Sequence, residues 1–212
     1  MASETEISNL ALTTIGHATI SSMSQGTKAA DLVQLHFPQC RDSLLRSHPW
    51  NFAIRRATLA VAASTPSHEF TYYHVLPTDC LKVLRTNWEA DGATGVAIYG
   101  FPGVSGYANE SIAYRIESHA TFGRVMATNE SAVSIEYVAQ ITDPAMFDPL
   151  FVDCLVLMLA SKVCMPLIDN AAMYKNLKEE LRATLPSAMT VDAQEGSARE
   201  IVDTSAWFQA RV

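Results

Sequence analysis

The distribution of apolar residues predicts one helix that is buried over most of its surface. Between Asp143 and Met165 the apolar side chains cover almost the whole circumference of a helix instead of forming one stripe, which is typical of a helix enclosed by other elements. Asp143 is suited to cap this helix, Pro144 suits its first turn, and Pro149 is expected to kink the helix or restart its first turn. We therefore predict a central helix over residues 143–165, with the other elements packed around it.

Charged residues limit the length of this apolar run. Asp153 and Lys162 bound an uncharged segment of only a few residues, whereas a membrane-spanning helix needs roughly 20 apolar residues. The sequence therefore predicts a core helix and no association with a membrane.

Three further segments have a helical pattern. Ser3 and Glu6 form a capping box for a first helix, and Thr27 is suited to cap a second helix that ends at His48. A fourth helix follows the central one, and we expect Pro186 to end it because proline cannot continue the hydrogen-bonding pattern.

Between the second helix and the central helix the apolar period changes from 3.6 residues toward 2, which indicates strands. In the last of these strands we expect Ile135 and Tyr137 to face one side and Glu136 the other. The predicted strands are Ala57–Val61, Phe70–Val75, Leu81–Arg85, Ala113–Glu117, Phe122–Ala127 and Val133–Val138.

The order of these elements predicts an α+β fold. We expect a four-helix bundle built from the N- and C-terminal helices, a central, mostly antiparallel β-sheet portion and a long exposed loop. The predicted parts are a helical bundle at 1–52 and 141–190, a β-rich portion at 53–140 with a protruding loop at about 89–110, and an extended C-terminal tail at 191–212.

The composition is that of a globular domain with an acidic charge balance. Apolar residues make up 49% of the chain, the formal net charge is -7 and the sequence pI is about 5.3. Because nucleic-acid binding depends on neutralising phosphates with Lys and Arg, this balance argues against general DNA or RNA binding. The 4 cysteines include no CxxC pair, and we interpret them as buried free thiols of a protein made in a reducing cytoplasm.

No residue pattern points to catalysis or cofactor binding. None of the 6 histidines has metal-binding spacing to another histidine or to a cysteine. Asp143, Asp148 and Asp153 would point in different directions on a helix. We therefore expect no catalytic residue, no metal and no cofactor. The competing interpretation is a small hydrolase in which His119 or His74 acts with an acidic neighbour.

Two segments contain aromatic residues beyond what a small core requires. Residues 89–110 are rich in Gly, Ala, Ser and Asn and indicate a long exposed hairpin or loop, while an aromatic pair lies close to the chain end. Such a tail docks either on its own chain or on a neighbouring subunit, where aromatic residues and Arg are favoured anchors. The interface candidates are Tyr99, Phe101, Tyr107, Trp207, Phe208 and Arg211.

Three strings resemble a known protein family. CRDSLLRSHPWNFAIRRATLA (Cys40–Ala60), HVLPTDCLKVLR (His74–Arg85) and VSIEYVAQITDPAMFDPLFVDCLVLMLASKVCMPL (Val133–Leu167) are similar to tail tubular protein A of short-tailed bacteriophages, also called the head-to-tail adaptor. The most specific marks are HPWNFA, LPTDCLKV and TDPAMFDPLF. The final SAWFQAR is also similar, whereas residues 89–110 and 186–205 match less well. The resemblance extends over nearly the whole chain.

This resemblance implies a structural role in a virus particle. Members of that family form a ring, typically of twelve copies, between the portal and the nozzle or tail tube, and the ring lines the channel through which genomic DNA passes without specific binding. The implied partners are the portal protein, the nozzle or tail tube protein and further copies of the chain, and the implied location is the neck of the virion after assembly in the host cytoplasm. A head-completion protein of a long-tailed phage is the alternative. The motif residues expected to form the structural core are His48, Pro49, Trp50, Asn51, Phe52, Asp143, Pro144, Phe147, Asp148, Pro149, Leu150 and Phe151.

Overall fold

The structure, a computed structural model, describes residues 3–86 and 112–195. This part of the chain contains 4 α-helices and 7 β-strands, arranged as two antiparallel sheets, so the α+β class is confirmed. The helices are α1 (Glu4–Thr14), α2 (Lys28–Ser47), α3 (Pro149–Ile168) and α4 (Ala171–Gln194), with short 3-10 turns at Asn51–Ala53 and Pro144–Met146.

The strands form one sheet of three and one of four. Their bounds are β1 (Ile54–Thr58), β2 (Ala60–Val61), β3 (Tyr72–Val75), β4 (Cys80–Thr86), β5 (Tyr114–His119), β6 (Gly123–Thr128) and β7 (Ser134–Ala139). The three-stranded sheet has the order β1-β7-β4 and the four-stranded sheet has the order β2-β3-β6-β5, and every neighbouring pair is antiparallel. The predicted strand Ala57–Val61 covers parts of both β1 and β2, and each of the other five predicted strands overlaps one observed strand. The predicted β-sheet portion is two sheets.

The chain passes between the two sheets at three places within the described residues. It crosses at Leu59 between β1 and β2, at residues 76–79 between β3 and β4, and at residues 129–133 between β6 and β7. The first and third crossings are joined where the Leu59 N–H donates to the Val133 carbonyl over 2.8 Å. The two sheets are therefore linked by their own strands.

The predicted four-helix bundle is wrong. The helix α3 packs extensively against α1, α2 and α4, whereas α1 and α2 make few contacts with each other, and α2 makes similarly few with β4 and β7. Because α3 is apolar on all sides, each neighbouring helix buries its own stripe against α3 instead of completing a closed bundle with the others. The helices thus form a group around one central member, continuous with the three-stranded sheet.

The central helix begins later than its apolar pattern suggests. Asp143 caps only the short 3-10 turn, and α3 starts at Pro149 with Asp148 as its cap. A residue that precedes proline is driven toward extended geometry, and Asp148 has φ -64° and ψ 143°. Pro149 therefore restarts the helix as its first residue.

The fourth helix continues past Pro186 to Gln194, so the prediction that proline ends it is wrong. Pro186 and Arg182 are both exposed, which leaves the carbonyl without a helical donor open to water. Beyond the proline, Ala188 and Asp192 are buried and hold the last turns against the body of the protein. The first residues assigned to the tail are thus helical.

By length and composition alone, α3 is apolar enough to cross a membrane. The argument that Asp153 and Lys162 make the run too short is therefore wrong. The same composition occurs in enclosed core helices, and three helices pack on α3.

The strand β7 is the middle strand of its sheet, so both of its edges are paired, and all its residues after Ser134 are buried. Ile135 and Tyr137 are buried, and so is Glu136, although the alternation predicts that it faces the opposite side of the sheet. Two arginines flank its carboxylate, with Arg85 Nη2 at 2.5 Å and Arg56 Nε at 3.0 Å. Burial alone would raise the pKa of Glu136, but the hydrogen bonds from Arg85 and Arg56 outweigh it and lower that pKa.

The starts of α1 and α2 follow from local chemistry, as predicted. Ser3 accepts a hydrogen bond from the Glu6 N–H while the Glu6 carboxylate accepts one from the Ser3 N–H, so the capping box is confirmed. Thr27 caps α2, and α2 ends at His48, both as predicted. The loop at 89–110 lies outside the described residues, and the proposed division of the chain into parts stays a prediction.

Candidate functional site at the aromatic junction

Trp50 belongs to the HPWNFA string, which connects the end of α2 to β1, and its side chain lies in the main core. His48 adopts extended geometry ahead of Pro49, as expected before proline, and this ends α2. The Trp50 indole is fully buried, and its Nε1 donates to the Leu44 carbonyl over 3.0 Å. The Ser47 hydroxyl donates to the same carbonyl over 2.7 Å, so two side chains satisfy an acceptor in the last turn of α2, where carbonyls lack a helical donor.

The TDPAMFDPLF string contains two helix caps, one for the 3-10 turn at Pro144–Met146 and one for α3. Asp143 accepts a hydrogen bond from the N–H two residues on over 3.0 Å, and Pro144 occupies the first position of that 3-10 turn. Asp148 then accepts from the N–H groups of Leu150 at 2.8 Å and Phe151 at 3.3 Å. Both aspartates therefore satisfy helix donors.

Four aromatic rings from these two strings pack together. The Phe151 ring centroid lies 5.2 Å from Trp50, 5.1 Å from Phe52 and 5.0 Å from Phe147. Phe52 and Phe147 are 6.0 Å apart. The contacts of Phe151 with Trp50 and Phe52 are edge-to-face, and each such pair adds about 0.5–1.5 kcal/mol beyond the burial of its surface. We call Trp50, Phe52, Phe147 and Phe151 the aromatic junction; Leu150 lies beside it, half-buried against the main core.

Asp192, near the end of α4, contacts His48 and Asn51 of the HPWNFA string. The Asp192 carboxylate lies 2.9 Å from His48 Nε2 and accepts a hydrogen bond from the Asn51 N–H over 3.1 Å. The Asn51 side-chain amide also donates to the Asp192 carbonyl. Since His48 stacks edge-on to Trp50 at 5.1 Å, these bonds connect the end of α4 to the aromatic junction.

The LPTDCLKV string forms the turn before β4 and the start of β4, and hydrogen bonds from Tyr137 and Gln140 fix its Asp79. Tyr137 Oη donates to Asp79 Oδ1 over 3.2 Å, and Arg55 Nη1 lies 3.0 Å from Asp79 Oδ2. The Gln140 N–H donates to the Asp79 carbonyl over 2.7 Å. Burial, followed by the negative charge of Asp79, raises the pKa of Tyr137 to about 12. The residues of this motif thus fix a strand connection.

The two histidines of the hydrolase interpretation have structural neighbours. His74 is fully buried, and its Nε2 lies 2.9 Å from the Glu130 backbone carbonyl, so this nitrogen is the donor. His119 Nδ1 accepts from the Thr121 N–H over 3.1 Å, and its ring packs edge-on to Tyr73 at 5.6 Å. Among residues 3–86 and 112–195, no group of three or more His, Cys, Asp or Glu is placed to hold a metal ion.

The cysteines are all free and buried, as predicted. Burial raises the pKa of Cys40, Cys80, Cys154 and Cys164. For Cys154, burial followed by the charges of nearby aspartates raises the pKa to about 11. These groups are therefore thiols at neutral pH, and thiols are poor nucleophiles.

Of the predicted site residues, the twelve motif residues fall within the described part of the chain. The six interface candidates do not: Tyr99, Phe101, Tyr107, Trp207, Phe208 and Arg211 all lie outside it.

Sequence reasoning missed Asp192 and Glu136. Asp192 falls in the predicted tail because Pro186 is expected to end the helix, and nothing in the sequence indicates that Ala188 and Asp192, one helical turn apart, are both buried. Glu136 lies in a strand with Arg56 opposite it in the register, a pairing that requires knowledge of which strands are neighbours.

No protein-family model matches this sequence, and no curated protein is significantly similar to it. The similarity of its motifs to tail tubular protein A therefore stays a resemblance.

Proposed function

We propose that this protein is a structural subunit of a virus particle, a head-to-tail adaptor that forms a ring between the portal and the nozzle or tail tube. In this role it catalyses no reaction. The ring lines the channel for genomic DNA, and each copy contacts the portal, the nozzle or tail tube protein and its two neighbours.

One observation carries the proposal. Two of the three strings that are most specific for the resemblance, HPWNFA and TDPAMFDPLF, are remote in sequence but supply all four rings of the aromatic junction. The residues that carry the resemblance therefore form one packed unit, as strings inherited together would. Their contact supports the idea that both belong to one inherited structural unit.

The physical demands of the role favour a stiff body with adaptable extensions. The apolar helix α3 and the aromatic junction are well suited to keep a subunit rigid, because close-packed interiors transmit force with little deformation. The loop at 89–110 and the residues 203–212 are the proposed contacts with portal and nozzle, since they carry the interface candidates. Removal of Asp203–Val212 should abolish or strongly weaken attachment to portal-bearing capsids; unchanged attachment would exclude the tail from this role.

Charge suits a channel through which DNA must slide. The net charge is -7, so an isolated subunit has little means of neutralising phosphates. We expect weak binding of the purified chain to duplex DNA at low salt and none near physiological salt. Tight, strongly salt-dependent binding would contradict this part of the proposal.

The decisive experiment is co-sedimentation of the purified full chain with portal-bearing capsids. The expected result is saturable binding in multiple copies per capsid, and the matched control is capsids assembled without portal, which should not bind. Particles that lacked this protein and still retained DNA and acquired normal tails would overturn the proposal.

A further inference from the structure

The loop between β2 and β3 crosses one face of the four-stranded sheet. We call this loop, residues 62–71, the strap. In the strand order β2-β3-β6-β5, the strand β5 lies two strands beyond β3, yet the strap reaches it. His68 Nε2 lies 3.8 Å from Glu117 Oε1 on β5. The Glu69 carboxylate lies 3.4 Å from Arg115 Nη1 on the same strand. The strap therefore passes over β3 and β6.

The smaller core lies under the strap. Ala127 is directly opposite Tyr73 on one side and Arg115 on the other, so these three side chains share one face of the sheet. Val125, two residues before Ala127, shares that face, and both residues are fully buried. Phe70 of the strap packs half-buried on this group. Opening of the strap would therefore uncover apolar side chains that are buried in the closed form.

The strap is held to the sheet mainly at its two ends. The Ala62 N–H donates to the Tyr73 carbonyl over 2.7 Å, and the Thr71 N–H donates to the Thr128 carbonyl over 3.2 Å. Between these points, among the described residues, no backbone hydrogen bond joins residues 63–70 to the sheet. Three of the four side chains in the two ion pairs to β5 are more than half exposed, and exposed pairs contribute little to stability.

The closed strap contains a strained residue. Glu69 has φ 42°, in the left-handed region, which disfavours a long L side chain because its Cβ lies too close to the backbone. The other described non-glycine residue with positive φ is Asp169, a short side chain in the left-handed cap of α3. A strained conformation persists only where the surroundings impose it. Opening of the strap would release Glu69 from this conformation.

From the sparse attachment and the strain, we infer that the strap is a conformational device that opens as a unit while the rest of the fold stays intact. In the closed form, Phe70 covers the apolar face formed by Tyr73, Val125 and Ala127. In the open form, that face is accessible. The strap thus regulates access to one side of the four-stranded sheet. The inference concerns the isolated chain and does not depend on the adaptor proposal.

Thiol labelling of the full chain tests the opening. Ala127→Cys places a thiol under the strap, and Thr128→Cys is the matched control. Thr128 is the next residue on β6 and is also fully buried, but it faces the opposite side of the sheet. The native cysteines are all buried, and Cys154 on α3 reports opening of the main core. Under native conditions we expect the thiol at 127 to react roughly tenfold faster than the thiol at 128 or Cys154, because local opening costs less than global unfolding.

Two outcomes of this labelling would overturn the inference. If the thiols at 127 and 128 react equally fast, the whole sheet frays and the strap does not open by itself. If the thiol at 127 reacts only as fast as Cys154, the strap opens only when the protein unfolds.

A second pair of variants tests the strain without changing the smaller core. Glu69→Asn and Glu69→Gln both remove the charge at an exposed site, but asparagine adopts positive φ far more readily than glutamine. We expect severalfold slower hydrogen exchange at the Thr71 N–H in Glu69→Asn than in Glu69→Gln, with the same urea midpoint for both. Equal exchange in the two variants would show that Glu69 is not strained. A difference in urea midpoint would show that the strap unfolds together with the whole protein.

Discussion

The main hydrophobic core and the core of the four-stranded sheet differ in what encloses them. The main core extends from α1 through the group around α3 to the three-stranded sheet, and it contains the largest buried side chains, among them Trp50 and Phe151. The core of the four-stranded sheet consists of small side chains and one tyrosine. In the described residues its buried members are Ala62, Tyr73, Val125 and Ala127.

This difference indicates that the two regions differ in local stability. Stability from apolar burial scales with the area removed from water, so the main core supplies most of it. The four-stranded sheet depends more on backbone hydrogen bonds and on its attachment to the main core through Met126. A region of low local stability is suited to adjust to a neighbour, whereas a densely packed one keeps its shape.

The largest expected effect is on the aromatic junction. Trp50→Ala removes a fully buried indole and its hydrogen bond to Leu44, and should lower the free energy of unfolding by about 3–5 kcal/mol. The matched pair that compares the two cores is Val138→Ala in the main core and Val125→Ala in the smaller core, because both valines lie in strands, are fully buried and lose the same two methyl groups. Urea denaturation should show a larger loss of stability for Val138→Ala than for Val125→Ala. Equal losses in this pair would remove the contrast between the two cores.

The next effect concerns the attachment of α4. Asp192→Ala removes the acceptor for His48 and the Asn51 N–H and should cost about 1–3 kcal/mol. The loss should appear as local opening, seen by faster hydrogen exchange in the last turns of α4 with little change in α3. Val191→Ala, the exposed neighbour on the same helix, should leave exchange unchanged. Faster exchange throughout α3 as well would mean that α4 is part of the rigid body.

A pH-dependent effect is expected at the centre of the three-stranded sheet. Hydrogen bonds from Arg85 and Arg56 outweigh the opposing effect of burial and lower the pKa of Glu136 in the folded chain. The ionised carboxylate therefore stabilises the fold above its unfolded pKa, and that stabilisation is lost as pH falls through the folded pKa. Glu136→Gln should cost about 1–2 kcal/mol near pH 7, and the difference from the parent chain should shrink below about pH 4.

Denaturation at several pH values measures this difference. The control is Glu69→Gln, since Glu69 pairs with Arg115 across 3.4 Å at a site where both side chains are more than half exposed. Exposed pairs contribute little, so this variant should behave like the parent chain at every pH. A constant cost of Glu136→Gln from neutral to acidic pH would show that charge is not the cause.

The smallest effect is expected in the four-stranded sheet. Tyr73→Phe removes a hydrogen bond of 3.2 Å to Glu117 on β5 but keeps the ring and its packing on His119. The denaturation midpoint should stay within error of the parent chain, while the amides of β5 exchange faster. A clear shift of the global midpoint would show that this sheet is more tightly coupled to the main core than its small buried set suggests.

Local chemistry in the sequence was sufficient to locate most element boundaries. The cap of α1 at Ser3, the cap of α2 at Thr27 and the end of α2 before Pro49 follow from side-chain and backbone preferences that act within a few residues. The strands followed from the change of apolar period. The effects of the prolines were harder to predict. Pro149 begins α3 because Asp148 beside it caps the helix, which the sequence shows. Pro186 is tolerated inside α4 because the carbonyl it leaves without a donor is exposed to water, which only the fold shows.

Other features were decided by tertiary structure because they depend on which elements are neighbours. An apolar helix indicates that α3 is enclosed but not what encloses it, so the predicted bundle was wrong while the α+β class was right. The division into two sheets, the burial of Glu136 between two arginines and the attachment of Asp192 to the HPWNFA string all join residues that are remote along the chain. Sequence alone determined what each segment prefers locally; packing decided which preferences could be satisfied together.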